Sequence, residues 1–308
     1  MASIAADKLN RKARAIVDQI SALPQLPNLT PVEARGRPAP LEAAPEAVGS
    51  VTARTIPGPG GPMAIRIYRP KDALPAALVY LHGGGWVLGS LDSADGSCRA
   101  LTNRSRCVVV SIDYRLAPET KFPGAVDDAY AAVRWVADNA TDMRIDLARI
   151  AVGGASAGGN LAAAVALVAR ERGGPTITFQ LLIVPVTELS SKAASHREFA
   201  EGYGLTSADM TWYGTHYVRT AADADDPHAS VLRADLLGLP PAFVITAECD
   251  PLRDDGEAYA DRLRALGIAA RYKRYPGMFH GFMGFPNVLP EASEAFEDAG
   301  AALREALG

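Results

Sequence analysis

A chain of 308 residues, 48% hydrophobic and 21% charged, can bury a large core, which excludes a disordered, collagen-like or coiled-coil protein. Its 31 basic and 35 acidic residues leave a formal net charge of −4 with no run of like charges, so neither a nucleic-acid nor an anionic-membrane partner is expected. Three scattered cysteines, Cys98, Cys107 and Cys249, suit neither a disulfide framework nor a zinc site, and a reducing, cytoplasmic setting is the expectation.

The first residues carry no signal-peptide pattern. The longest apolar runs, such as 161–169, fall well short of the roughly 20 residues that span a bilayer, so no membrane insertion is expected. Residues 1–45 stand apart. Ile16, Val17, Ile20 and Leu23 recur at helical spacing, and then Pro24, Pro27, Pro31, Pro38, Pro40 and Pro45 interrupt the chain. One amphipathic helix and an irregular arm are too little for a core, so this unit must pack on the rest.

From residue 50 onward, strand-like and helical stretches alternate. Residues 51–56 and 63–68 flank a Pro-Gly-Pro-Gly-Gly-Pro turn at 57–62, the pattern of an antiparallel hairpin. Continuous apolar runs at 76–81, 107–112, 150–152, 181–186 and 242–247 suit strands covered on both faces, and 270–275 is a last strand-like run. Helical stretches fall at 93–105, 125–139, 157–172, 255–266 and 290–307. This order predicts an α/β fold, a mostly parallel eight-stranded sheet with helices on both faces. Residues 188–228 interrupt it with helical pieces and the aromatics Phe199, Tyr203, Trp212, Tyr213 and Tyr217. They read as an insertion over the carboxyl edge of the sheet, beside the N-terminal arm, leaving 46–187 and 229–308 as the main domain.

Gly154-Ala-Ser-Ala-Gly158 fits G-x-S-x-G, a weak string by itself whose setting gives it weight. It joins a short buried strand to an Ala-rich helix, so Ser156 sits on a sharp turn where glycines avoid Cβ clashes; the plain alternative is a glycine-rich helix start with Ser156 as N-cap. His82-Gly-Gly-Gly-Trp86 follows another buried strand. Three glycines cost backbone entropy there, and they make sense where bare N–H groups must approach an oxyanion; an ordinary tight loop is the alternative. His82 suits a loop-shaping hydrogen bond better than a base. Of the other histidines, His196, His216 and His228 lie in the insertion, whereas His280 follows the last strand at the same sheet edge as Ser156. Asp250, after the strand at 242–247, is equally readable as an acid partner or as a helix cap before Pro251; Asp254 and Asp255 are weaker rivals. The order Ser156, Asp250, His280 is that of the α/β-hydrolases.

His82-Gly-Gly-Gly-Trp86, Asp113-Tyr-Arg-Leu-Ala-Pro-Glu119, Gly154-Ala-Ser-Ala-Gly-Gly159, Asp250-Pro-Leu-Arg-Asp254 and Gly277-Met-Phe-His-Gly281 occur in this order between residue 50 and the C-terminus. In these strings the chain resembles the hormone-sensitive-lipase-like esterases, the bacterial family IV. The resemblance implies an α/β-hydrolase fold with a helical cap made from residues 1–45 and 188–228. It implies Ser156, Asp250 and His280 as a catalytic triad, and the N–H groups of Gly83, Gly84 and Ala157 as an oxyanion hole supported by His82 and Gly85. One departure is Ala155, where the family usually carries Asp. The Asp113–Glu119 string reads as structural, with Arg115 paired to Glu119.

The function expected is hydrolysis of short-chain esters of small molecules through an acyl-enzyme, with no cofactor and no metal. An amidase or lactonase could use the same residues, and a non-catalytic small-molecule receptor is disfavoured by the retention of His280. Trp86, Tyr203 and Trp212 are candidate pocket residues, with Trp86 narrowing the space near the oxyanion hole. As in relatives, the last strand offers an edge for a homodimer.

Overall fold

A computed structural model describes residues 8–37 and 46–308; Pro38, Pro40 and Pro45 of the expected arm, and residues 1–7, lie outside the described residues. The turn at 57–62 closes a hairpin of β1 (Ser50–Gly58) and β2 (Gly61–Arg69), in register from Ser50 opposite Arg69 to Gly58 opposite Gly61. The apolar runs become β3 (Ala77–Leu81), β4 (Val108–Ile112), β5 (Ile150–Ala155), β6 (Phe179–Ile183), β7 (Ala242–Cys249) and β8 (Ala270–Phe279). The sheet order is β1-β2-β4-β3-β5-β6-β7-β8. β2 meets β4 antiparallel, and every pairing from β4 to β8 is parallel.

Because side chains alternate across a strand, a run such as β3 must find apolar cover on both faces. Ala77, Val79 and Leu81 pack in one core with α4 (Gly124–Asp138), α5 (Ala157–Glu171) and α8 (Arg253–Ala265). Leu78 and Tyr80 pack in the other with α3 (Asp95–Ser105) and α9 (Pro290–Leu307). The central strands are therefore buried throughout. α5 is buried along all of Ala157–Ala169, which is why it is built so largely of alanine.

β6 ends three residues earlier than its apolar run suggests. Val184 leaves the extended conformation at φ 41°, sending its N–H to Ile245 O at 2.7 Å, and Pro185 has no N–H with which to continue a ladder.

The N-terminal helix, α1 (Arg11–Ser21), buries Ala13, Ile16 and Val17. Asn10 caps it through Ala13 N–H at 2.8 Å and ties it to the end of β8 by donating its own N–H to Gly277 O at 3.1 Å. The short α2 (Pro31–Arg35) opens with a Thr30/Glu33 capping box. Within 188–228 the chain forms α6 (Ala194–Glu198) and α7 (Ser207–Tyr217). Arm and insertion touch directly: Arg14 Nη1 donates to Gly202 O at 2.9 Å, and Trp212 Nε1 donates to Leu29 O at 3.1 Å.

The expected Arg115–Glu119 pair does not form. Arg115 forks onto Asp128 with two bonds of 2.8 Å, because that carboxylate is buried in α4 and needs a cation. Glu119 instead takes both terminal nitrogens of Arg35, at 2.8 and 2.7 Å. Arg35 also donates to Val87 O and Ala117 O, so this string anchors the arm beside the glycine loop.

Candidate active site

The sheet order decides which loops meet. β3 and β5 are neighbours with Leu81 opposite Gly154, which sets the His82–Trp86 loop against the turn at Ser156. A Cβ on Gly83 would lie 3.1 Å from Ala155 O and 3.6 Å from the Ser156 Cβ. The approach is tighter still beneath the turn, where a Cβ on Gly158 would stand 1.9 Å from Leu81 O. Glycine is required there by contact rather than by φ. Ser156 itself adopts φ 55°, ψ −117°, a sparsely populated conformation for a residue with a side chain. It is held by its N–H on Ile183 O at 2.8 Å and by its carbonyl accepting from Asn160 at 3.0 Å.

At the other end of the parallel sheet, the register of β7 on β8 shifts between Ala247, opposite Tyr275, and Cys249, opposite Phe279, an irregularity that re-aims the residues that follow. Asp250 and His280 are those residues. His280 Nδ1 lies 2.8 Å from Asp250 Oδ2, and His280 Nε2 lies 3.0 Å from Ser156 Oγ. Asp250 is fully buried. Its second oxygen, Oδ1, accepts the Leu252 N–H at 2.9 Å, so one carboxylate both shapes the turn into α8 and faces the imidazole.

Gly84, at φ 115°, would place a Cβ 2.4 Å from Leu88 O, so the loop needs glycine to turn at that point. Among the described residues, the N–H groups of Gly83 and Gly84 donate to no acceptor. Ala157 opens α5, where its N–H has no partner within the helix. His82 is buried and sends Nδ1 to Gly83 O at 2.8 Å, and its ring stacks on Tyr114 at 4.2 Å. Burial pushes its pKa down to about 4, so it is neutral at physiological pH. It braces the glycine loop.

A cavity of about 320 Å³ opens over Ser156. Gly83, Gly84, Gly85, Ala155, Ser156 and His280 form its floor, and Trp86, Val184, Val186, Leu189, Met210 and Tyr213 supply much of its wall. Two expected pocket residues are elsewhere. Tyr203 packs edge-on against Phe199, and Trp212 turns toward the arm to reach Leu29 O. The next residue on α7, Tyr213, takes the cavity face because successive helix positions are rotated by about 100°. The readable signal was the spacing of Met210, Tyr213 and Gly214, which lie on one face of α7 and line the cavity together. Trp86 lines the cavity and stacks flat on Tyr217 at 4.1 Å.

The other histidines lie away from Ser156. His216 packs edge-on to Trp212 and His228 faces Glu171 at 2.9 Å. His196 forms a second His–Asp pair. Its Nε2 meets Asp255 Oδ2 at 2.7 Å while Ser191 donates to Asp255 Oδ1 at 2.5 Å, pinning the insertion to the start of α8 beside the Asp250 turn. Burial opposes a charge on His196, but the Asp255 hydrogen bond and the carboxylates of Asp255, Asp250 and Asp254 outweigh it and raise the pKa above the ordinary 6.5. The stability this pair adds is therefore whole below pH 6.5 and is lost as pH rises through the higher folded value. Denaturant unfolding of wild type and His196→Gln across this range should give a gap on the order of 2 kcal/mol at the acid end that narrows at the alkaline end. A gap independent of pH counts against a charged pair.

Comparison with known proteins agrees with this architecture. A family model described as alpha/beta hydrolase fold matches residues 78–284. Carboxylesterase NlhH of Mycobacterium tuberculosis is 44% identical over 250 residues, covering 79% of this chain and 78% of that protein. Ethyl acetate hydrolase of Pseudomonas putida is 39% identical over 256 residues, covering 80% of each. The solved structure of a hyperthermophilic esterase from the archaeon Pyrobaculum calidifontis superposes with a TM-score of 0.91 at 44% identity, covering 96% of this chain and 98% of that one. With that match across most of its length and the sheet order described above, the chain belongs to the alpha/beta hydrolase fold family, in its hormone-sensitive-lipase-like branch.

Proposed function

We propose that the chain is a carboxylic ester hydrolase working through a serine acyl-enzyme, with Ser156 as nucleophile, His280 as base and Asp250 as its orienting acid. The observation that carries this reading is the continuous line of contacts from Asp250 to His280 to Ser156 beside two unengaged glycine N–H groups. As Ser156 Oγ bonds to the ester carbonyl carbon, its proton passes to His280 Nε2, and the negative charge moves to the carbonyl oxygen. Donors from Gly83, Gly84 and Ala157 stabilise that oxygen, each contributing about 3 kcal/mol to lowering the barrier. Collapse breaks the bond to the alcohol oxygen, which takes the proton from His280. Water then repeats the sequence on the acyl-serine and releases the acid.

In this reading the arm and residues 188–228 act as a cap over the main domain, and the roofed, apolar cavity receives the acyl chain. Each methylene buried there contributes about 0.8 kcal/mol until the space is filled, after which longer chains must displace packed side chains at about 1–3 kcal/mol. A series of 4-nitrophenyl esters should give the highest kcat/KM for acyl groups of about two to six carbons, with a steep fall beyond. Equal rates on long-chain emulsified triglycerides and on butanoates overturn the short-chain assignment. The cytoplasm is the proposed compartment, and the outer edge of β8, which among the described residues pairs only with β7, is the proposed contact of a homodimer.

A further inference from the structure

A second cavity of about 210 Å³ adjoins the first, sharing Leu205, Tyr213 and His280 with it but containing neither Ser156 nor the loop glycines. It lies between the arm and the insertion. Its wall is more polar than that of the first, with Ser21, Gln25, Asp209 and Arg37 set among Ile20, Leu26 and Leu205. Most of these groups are engaged locally. The Gln25 amide donates to Ser21 O and Leu23 O at 3.0 and 2.7 Å. Asp209 Oδ2 accepts the N–H and hydroxyl of Thr206 at 3.0 and 2.8 Å, completing the capping box of α7, whose positive end it offsets.

Arg37 is different. Among the described residues its guanidinium has no ion-pair partner, and its Nε is buried without a hydrogen bond. A buried donor left unpaired is costly, and a guanidinium fork of Nε–H and Nη–H matches the two oxygens of a carboxylate. The Arg37 charge also acts on the phenol of Tyr213, in the wall between the two cavities, opposing the burial and the Asp209 charge that raise its pKa.

His280 must deliver its proton to the departing alcohol oxygen, so the alcohol portion of the ester lies on the His280 side of the scissile bond. The cavity lined by His280 but not by the oxyanion donors is on that side. We infer that the second cavity receives the alcohol portion, and that Arg37 is a specificity-determining residue favouring alcohols that carry a carboxylate, that is, esters formed on the hydroxyl of a hydroxy acid. This inference rests on the serine-esterase reading above.

The test compares two substrates of the same shape, 4-(butanoyloxy)benzoate and 4-(butanoyloxy)benzamide, at low ionic strength. The ratio of their kcat/KM values cancels effects common to both. The wild-type ratio should exceed that of Arg37→Met by about tenfold or more, with the change carried by the KM of the charged ester, as expected for an interaction present in both ground and transition states. Arg37→Lys should recover part of it. A ratio unchanged in Arg37→Met, or equal losses on both esters, overturns the inference and assigns Arg37 at most a structural role. If the wild type hydrolyses neither ester, nor any 4-nitrophenyl ester, it is the serine-esterase reading that fails.

Discussion

Ser156→Ala should lower ester turnover by roughly a millionfold while leaving the protein folded. The loss is this large because nucleophile and base act as a unit: without Oγ, His280 has no proton to accept and only water can attack. The fold is spared for a local reason. Alanine keeps the Cβ already accommodated at φ 55°, and the backbone bonds from Ser156 N–H to Ile183 O and from Asn160 N–H to Ser156 O do not involve the hydroxyl. The expected stability change is less than about 1 kcal/mol. A fluorophosphonate should label wild type at Ser156 alone and leave the variant unlabelled. Residual activity above that of the oxyanion donors, or labelling at another serine, removes Ser156 from the proposed role.

Asp250→Asn is the second large effect, about 10⁴-fold in kcat, and the geometry gives its cause. The Leu252 N–H requires an acceptor at Oδ1. The amide oxygen of asparagine takes that place and its NH₂ must then occupy the Oδ2 position, 2.8 Å from His280 Nδ1. A donor there holds Nδ1 unprotonated and puts the imidazole proton on Nε2, facing Ser156 Oγ, which is the wrong tautomer for a base. The carboxylate that stabilises the imidazolium is lost as well. Because the turn into α8 survives, unfolding should change little and KM only modestly. Asp250→Ala removes the acceptor for Leu252 as well as the acid, so it should lose stability in addition to turnover. An asparagine variant within tenfold of wild type leaves Asp250 as a turn-former only.

Features of this chain differ in how far local sequence determines them. The eight strands and the principal helices were legible because burial on both faces leaves an uninterrupted apolar run, and because Gly and Pro mark the turns. The exceptions are local. The apolar run of β6 continues three residues past the strand end at Ile183, because Val184 and Pro185 are as apolar as a strand and the φ of 41° at Val184 has no compositional signature. The turn at Ser156 was legible from its small neighbours, yet the reason for Gly158 lies in another strand, at Leu81 O.

Partnerships were less legible. Arg115 and Glu119 are four apart and invite pairing, but the strongest claim on a guanidinium is a buried carboxylate, and Asp128 becomes one only when α4 packs. Trp212 was the conspicuous residue of α7 and Tyr213 the inconspicuous one, and helix rotation about its axis assigns the cavity to the second. His196 and Asp255 are separated by 59 residues, and Arg37 reaches the wall of the second cavity only because the arm lies against the insertion. The sequence alone determined which segments form strands, which turns carry glycine and which residue types are available for acyl transfer, since these follow from local sterics and periodic burial. Only the tertiary structure decided which side chains meet, because contacts between distant residues are set by sheet order and helix rotation, and neither leaves a trace in local sequence.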